Sequence, residues 1–124
     1  MEGIYIMKFP KQSEAIFSIL NDTIEQSGYG CELRKMFGHK TFFVNGYMFA
    51  GVFGETGIHL RVGQSMRDDA IENTRGVAYF EANGRIMKDH LLLTEEIYSD
   101  EEKLTTWLEK AHDHTLSQPP KKKK

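Results

Sequence analysis

Cysteine is nearly absent from this 124-residue sequence: Cys31 stands alone, so no internal disulfide can form. A reducing compartment is the simpler setting for such a chain, and a cytoplasmic location is expected. Long apolar runs are missing too. No stretch approaches the roughly 18 apolar residues that a membrane span needs, so no membrane association is expected. The opening MEGIYIMKFP holds only a brief apolar segment without a basic leader, which is unlike a signal peptide. Proline is scarce, and two of the three prolines, Pro119 and Pro120, precede a closing run of lysines, 121–124.

Positive charge is short in the body of the chain. The formal net charge is −2, but four of the 16 Lys and Arg residues lie in that closing run, leaving 12 cations against 18 carboxylates elsewhere. Phosphate recognition depends on positive charge, so nucleic-acid binding is not favoured. A lysine run behind two prolines cannot pack and is expected to be solvated. The length suits one domain, and 40% apolar with 27% charged residues is ordinary globular composition. The expected organisation is an N-terminal extension over 1–11, one domain over 12–117, and a disordered Pro/Lys tail over 118–124.

What the sequence has in plenty is phenylalanine beside glycine. The stretch 34–54, RKMFGHKTFFVNGYMFAGVFG, carries five phenylalanines, a tyrosine and four glycines. Around it the periodicity is readable. Over 12–27, Ile16, Ile19, Leu20, Thr23 and Ile24 recur at helical spacing, and Gly28 with Gly30 should stop the helix. From Cys31 the period becomes two. Asn45-Gly46 between alternating apolar runs is a strong hairpin signal, since a type I′ turn needs positive φ at both positions. A second connection, Gly54 to Gly57, leads to a strand with Ile58, Leu60 and Val62 facing one way and His59 and Arg61 the other. Beyond Gly63, Ser65 with Asp68 is expected to cap a short helix carrying Met66, Ala70 and Ile71 inward. Asn83-Gly84 marks another hairpin, and Leu91-Leu92-Leu93, lacking alternation, suits a strand buried on both faces. A capping box at Ser99 and Glu102 should open a last helix with Leu104, Trp107, Leu108 and Ala111 on one face. The fold class is therefore α+β, a two-layer arrangement with helices on an antiparallel sheet of about five strands. The order is helix, three or four strands, helix, two strands, helix.

Candidate chemistry is thin. An RNA-stacking platform needs aromatics on one exposed face, whereas alternation sends Phe42 and Phe43 to opposite faces, as it does Met48 and Phe49. The glycines at 51, 54 and 57 are spaced like a phosphate-gripping loop but lie between strands, where turns and bulges need them. Five histidines offer no metal-ligand spacing: His112 and His114 diverge on a helix, and His39, His59 and His90 sit on separate segments. No metal, cofactor, catalytic residue or small-molecule substrate is expected. The remaining polar feature is a set of cations on or beside strands, Arg34, Lys35, Arg61, Arg85 and Lys88. Either they line a solvated rim, or some converge to dock an acidic partner or a phosphate.

Several blocks in order resemble one family. They are Arg34-Lys35-Met36-Phe37-Gly38, the run from Phe43 through Asn45-Gly46 to Gly51-Val52, Leu60-Arg61-Val62-Gly63, and Phe80-Glu81 with Gly84-Arg85 and Met87-Lys88. Together with the Trp107-Leu108 helix they resemble the TfoX N-terminal domain family over about 16–111. The resemblance implies a two-layer domain with an antiparallel sheet, and structural roles for Met36, Phe37, Gly38, Asn45, Gly46, Gly51, Gly63 and Gly84. It brings no catalytic residues. Members with a second, helical domain regulate bacterial DNA-uptake competence; here only a Pro/Lys tail follows, so a stand-alone domain is expected. The function expected is a small non-enzymatic regulatory or protein-interaction domain, with a homodimer through one sheet face among the partners. The alternatives are a nucleic-acid-associated transcriptional regulator using a basic sheet face, and an uncharacterised enzyme.

Overall fold

The computed structural model describes residues 11–36 and 39–120. Phe37, Gly38, the four closing lysines and the expected N-terminal extension apart from Lys11 lie outside the described residues. Helix α1 (Glu14–Ser27) leads into a meander of β1 (Glu32–Met36), β2 (His39–Val44), β3 (Tyr47–Phe53) and β4 (Gly57–Arg61). Then come α2 (Gln64–Asn73), β5 (Val77–Ala82), β6 (Arg85–Leu93), α3 (Glu95–Tyr98) and α4 (Glu101–Ser117). The strands form one antiparallel sheet in the order β1-β2-β3-β4-β6-β5. The α+β class is as expected, with six strands in place of about five and α3 added. The extra strand arises because the extended stretch after Cys31 is two strands, β1 and β2, paired antiparallel from Glu32 opposite Phe43 to Met36 opposite His39.

Local chemistry sets the boundaries. Asn45 and Gly46 have φ of 55° and 84°, and Asn83 and Gly84 have 55° and 76°. These left-handed values close the β2–β3 and β5–β6 hairpins. Ser13 Oγ accepts the Ile16 N–H at 3.2 Å to cap α1, and Gly28, at φ 75°, ends it. Two expected caps are corrected. Helix α2 begins behind Gly63 with no side-chain cap, so Ser65 and Asp68 fall inside it. Ser99 closes α3, its hydroxyl donating to the Glu95 carbonyl at 2.6 Å, while Asp100 caps α4 by accepting the Lys103 N–H. Aspartate caps as well as serine, and the short α3 left Asp100 as the first free position.

All the helices bury residues on one side of the sheet. The main core joins Ile16, Leu20 and Ile24 of α1 and Leu104, Trp107, Leu108 and Ala111 of α4 to Ile58, Leu60, Leu91 and Leu93. Ile19, placed on the α1 stripe by spacing, is instead exposed. Phe49 and Ala50 are consecutive, yet both are fully buried in this core. A bulge explains it: Phe42 pairs with Ala50 and Phe43 with Met48, leaving Phe49 as the extra residue of β3. The opposite face holds a second cluster of Phe80, Ala82 and Leu92, with Phe53, Ala78 and Met87 against it. Leu91-Leu92-Leu93 thus serves both layers.

Strand β6 is irregular where it passes β5, since Tyr79 pairs with Leu91 but Glu81 with Ile86. Buried Arg67 of α2 reaches this gap, with Nη1 donating to the Lys88 carbonyl at 2.7 Å and the Met87 carbonyl at 3.5 Å. Its other nitrogens bind Asp68 at 2.8 and 3.0 Å, and its guanidinium lies 5.0 Å from the Tyr79 ring centroid. Arg67→Ala should destabilise the protein by about 1–3 kcal/mol, because it leaves two part-buried carbonyls without this donor as well as losing packing. Arg67→Lys should recover little, since an ammonium cannot reproduce the fork. Urea titrations of both variants check this.

The expected tail begins with residues that the fold holds. Asn45 Nδ2 donates to the Leu116 and Gln118 carbonyls, each at 3.3 Å, and the Tyr47 hydroxyl donates to the Pro119 carbonyl at 2.9 Å.

Candidate functional site

Strand β4 sends Ile58 and Leu60 to the helices, so His59 and Arg61 project from the back of the sheet. Beside it on β6, Leu92 stands opposite His59 and His90 opposite Arg61. The two histidines are therefore diagonal neighbours, and their Nδ1 atoms meet at 3.1 Å. Phe80 from β5 stacks on His59 with ring centroids 4.4 Å apart and planes 1° from parallel. Phe53 meets Phe80 edge-on at 5.1 Å. Strand β3 supplies Gly51 directly opposite His59. A Cβ at Gly51 would stand 2.6 Å from His59 Nε2, and His59 is held between Phe80 and His90. Gly51→Ala should therefore cost about 1–3 kcal/mol of stability, read as a lowered denaturant midpoint.

Both imidazoles are buried, at 6% and 1% exposure. Burial first, then the charges of Arg61 and His39, lowers the His59 pKa to about 3. His90 is held well below its ordinary value by burial first, then by His59 and Arg61. The Met48 carbonyl favours the charged form of His90, but it accepts the Arg61 Nε–H at 2.8 Å, and His90 Nε2 has no hydrogen-bond partner. Two neutral rings can share one proton across the Nδ1 contact. A further proton goes either into that contact, N–H against N–H, or onto an outer nitrogen. General acid–base catalysis needs a group that reaches substrate and titrates near the working pH, and this pair does neither.

The five cations singled out in the sequence are spread over the sheet. Arg61 is largely committed: besides the Met48 carbonyl it pairs with Asp89 at 3.3 Å and lies 5.2 Å from the Tyr47 ring centroid. Exposed Arg34 pairs with Glu32 at 3.0 Å and sits over the Phe43 ring at 4.3 Å. It shares the back face with Arg61, but β1 and β4 are three strand spacings apart, about 14 Å. Lys35 is exposed on β1, Arg85 is exposed where β6 begins, and Lys88 is exposed within its irregular stretch. Of the expected structural residues, Gly51 lies against His59, and Gly63, at φ 87°, lies under the His114 ring.

Phe42, Phe43 and Phe49 are all buried, so they form scaffold on both sides of the sheet and not a bare stacking surface. The Cys31 thiol is half-buried and pushed up to about 11 by burial, far from a reactive thiolate. Among the described residues no group of three or more His, Cys, Asp or Glu could hold a metal ion, and no helix is long and apolar enough to cross a membrane. A recess of about 550 Å³ lies beside the start of α1, lined partly by Gln12, Ser13 and Lys40. Its polar groups serve the fold: Gln12 bridges the Lys40 N–H and carbonyl and the Val52 carbonyl, and Ser13 caps the helix.

Sequence reasoning missed the histidine pair and buried Arg67. The alternation of β4 placed His59 on the back face, but nothing local announced that β6, not β5, lies alongside. No curated protein matches the chain. Residues 26–115 match a protein-family model, described as the TfoX N-terminal domain.

Proposed function

The chain belongs to the TfoX N-terminal domain family, and from that premise we propose that it is a non-enzymatic regulatory domain that works through protein contacts, including self-association. One observation carries this reading. The side chains suited to chemistry serve the fold, while three of the five large apolar side chains exposed among the described residues lie toward the two ends of the sheet, the other two, Ile19 and Leu116, being on helices. His59 and His90 face each other, Arg67 holds β6, and the Cys31 thiol stays protonated. Leu33 is exposed on β1, and Tyr79 and Ile86 are exposed on β5 and β6. An edge strand that exposes an apolar side chain, as β1 does at Leu33, suits association better than catalysis. A lone cysteine supports a reducing, cytoplasmic setting.

Sedimentation equilibrium at micromolar concentrations tests the reading, with a reversible dimer expected. A chain that stays monomeric at about 200 µM overturns self-association, since specific interfaces of ordinary size assemble well below that. Nucleic-acid binding through Arg34, Lys35, Arg61 and Arg85 would instead give salt-dependent retention of duplex DNA or RNA, lost on charge reversal at Arg85.

A further inference from the structure

Strand β1 stands at one end of the sheet, and its neighbour among the described strands is β2. Val44 and Tyr47 close the two-residue Asn45-Gly46 turn, so Val44 and, by alternation, Phe42 turn their N–H and C=O groups toward β3, and Thr41 and Phe43 turn theirs toward β1. Their partners Arg34 and Glu32 therefore turn their N–H and C=O groups toward β2, whereas Leu33 and Lys35 turn theirs to the outer edge. Side chains alternate as well. Arg34 lies on the back face, over Phe43 and beside Glu32. Leu33 lies on the helix face opposite Phe42, and is 49% exposed.

We propose that β1 pairs antiparallel with β1 of a second copy of this chain, about a two-fold axis at Leu33, making one continuous sheet of the two. The proposal rests on the self-association reading above and names the surface. A two-fold axis perpendicular to the sheet keeps each side chain on its own face, so residues of like parity stand opposite one another. Centring the axis on Glu32, Arg34 or Lys35 sets like charges face to face. Centring it on Leu33 sets Leu33 against Leu33, and Glu32 against Arg34 twice. Apolar then meets apolar and each charge meets its opposite, the cross-strand pairs that stabilise sheets. The Leu33 N–H and C=O, already directed outward, exchange hydrogen bonds with their copies. Charges on an edge strand ordinarily discourage pairing. Here their order, Glu-Leu-Arg, is self-complementary, and Arg34 is already positioned by the Phe43 ring.

Sedimentation equilibrium on the full chain and its variants tests this, with circular dichroism melts to confirm that each variant is folded. Glu32→Arg and Arg34→Glu each place two like-charge pairs across the axis, and each should weaken the dimer about tenfold or more. The double swap, Glu32→Arg with Arg34→Glu, should bring affinity back to within about threefold of the original. Leu33→Lys should also weaken it, by about tenfold. Single reversals that weaken the dimer without rescue by the double swap overturn this register. A dimer indifferent to all four variants overturns pairing at β1 while leaving self-association standing. Monomer throughout overturns both, and points to an edge covered by another segment of this chain or by a different protein.

Discussion

As pH falls from about 7.5 to about 5, the protein should lose about 2 kcal/mol of folding stability through His59 alone. The direction follows from proton uptake. Folded His59 protonates only near pH 3, whereas an unfolded histidine does so near its ordinary 6.5. Between those values the unfolded chain holds the extra proton, so acid pulls the equilibrium toward it. This contribution is complete above about pH 6.5 and is lost progressively as pH falls toward about 3. His90 shifts in the same direction, so it steepens the loss. Urea unfolding at several pH values would show the effect as a falling midpoint. His59→Leu with His90→Leu should flatten the slope between about pH 5 and 6.5, whatever that variant's stability at neutral pH. An equally steep slope in the double variant would show that other groups carry the acid sensitivity.

Trp107→Ala should lower stability by about 3–5 kcal/mol, enough to leave a marginal domain partly unfolded at room temperature. Trp107 is 8% exposed and packs into the core between α4 and the sheet, and Lys110 Nζ lies 4.6 Å from its ring centroid. Removing the ring would leave a cavity in the core that it shares with fully buried Leu104 and Leu108. Because this is the only tryptophan, far-ultraviolet circular dichroism is the suitable probe. A melt unchanged by the substitution would mean that the ring does not support the core.

Local patterns carried much of this architecture into the sequence. Asn45-Gly46 and Asn83-Gly84 declare their hairpins because two left-handed residues in succession fit little else. The Leu104, Trp107, Leu108 and Ala111 face of α4 is legible for the same reason: its spacing is a property of one helix. Three features depend on distant partners and were not legible. Phe49 shares a face with Ala50 only because β2 pairs with β3 around an extra residue. Arg67, a polar helix residue like its neighbours in sequence, is buried because irregular β6 leaves carbonyls to be bound. The His59–His90 contact needs β6 beside β4, yet the 83–84 hairpin could have docked with either strand inward. The basic residues were visible as a set, but whether each faces solvent or a carboxylate was not, as Arg61 and Asp89 illustrate.

The sheet order also bears on how the protein folds. From β1 to β4 each strand pairs with the next, so that half can zip up from its turns without long loops to close. The seam between β4 and β6 joins Ile58 to Leu93, and closing it must bring together segments separated in the chain by α2 and β5. Such a long-range closure is entropically slow. Refolding should therefore be limited by that seam, with side-chain deletions at Leu91 or Leu93 slowing it more than deletions in the first hairpin.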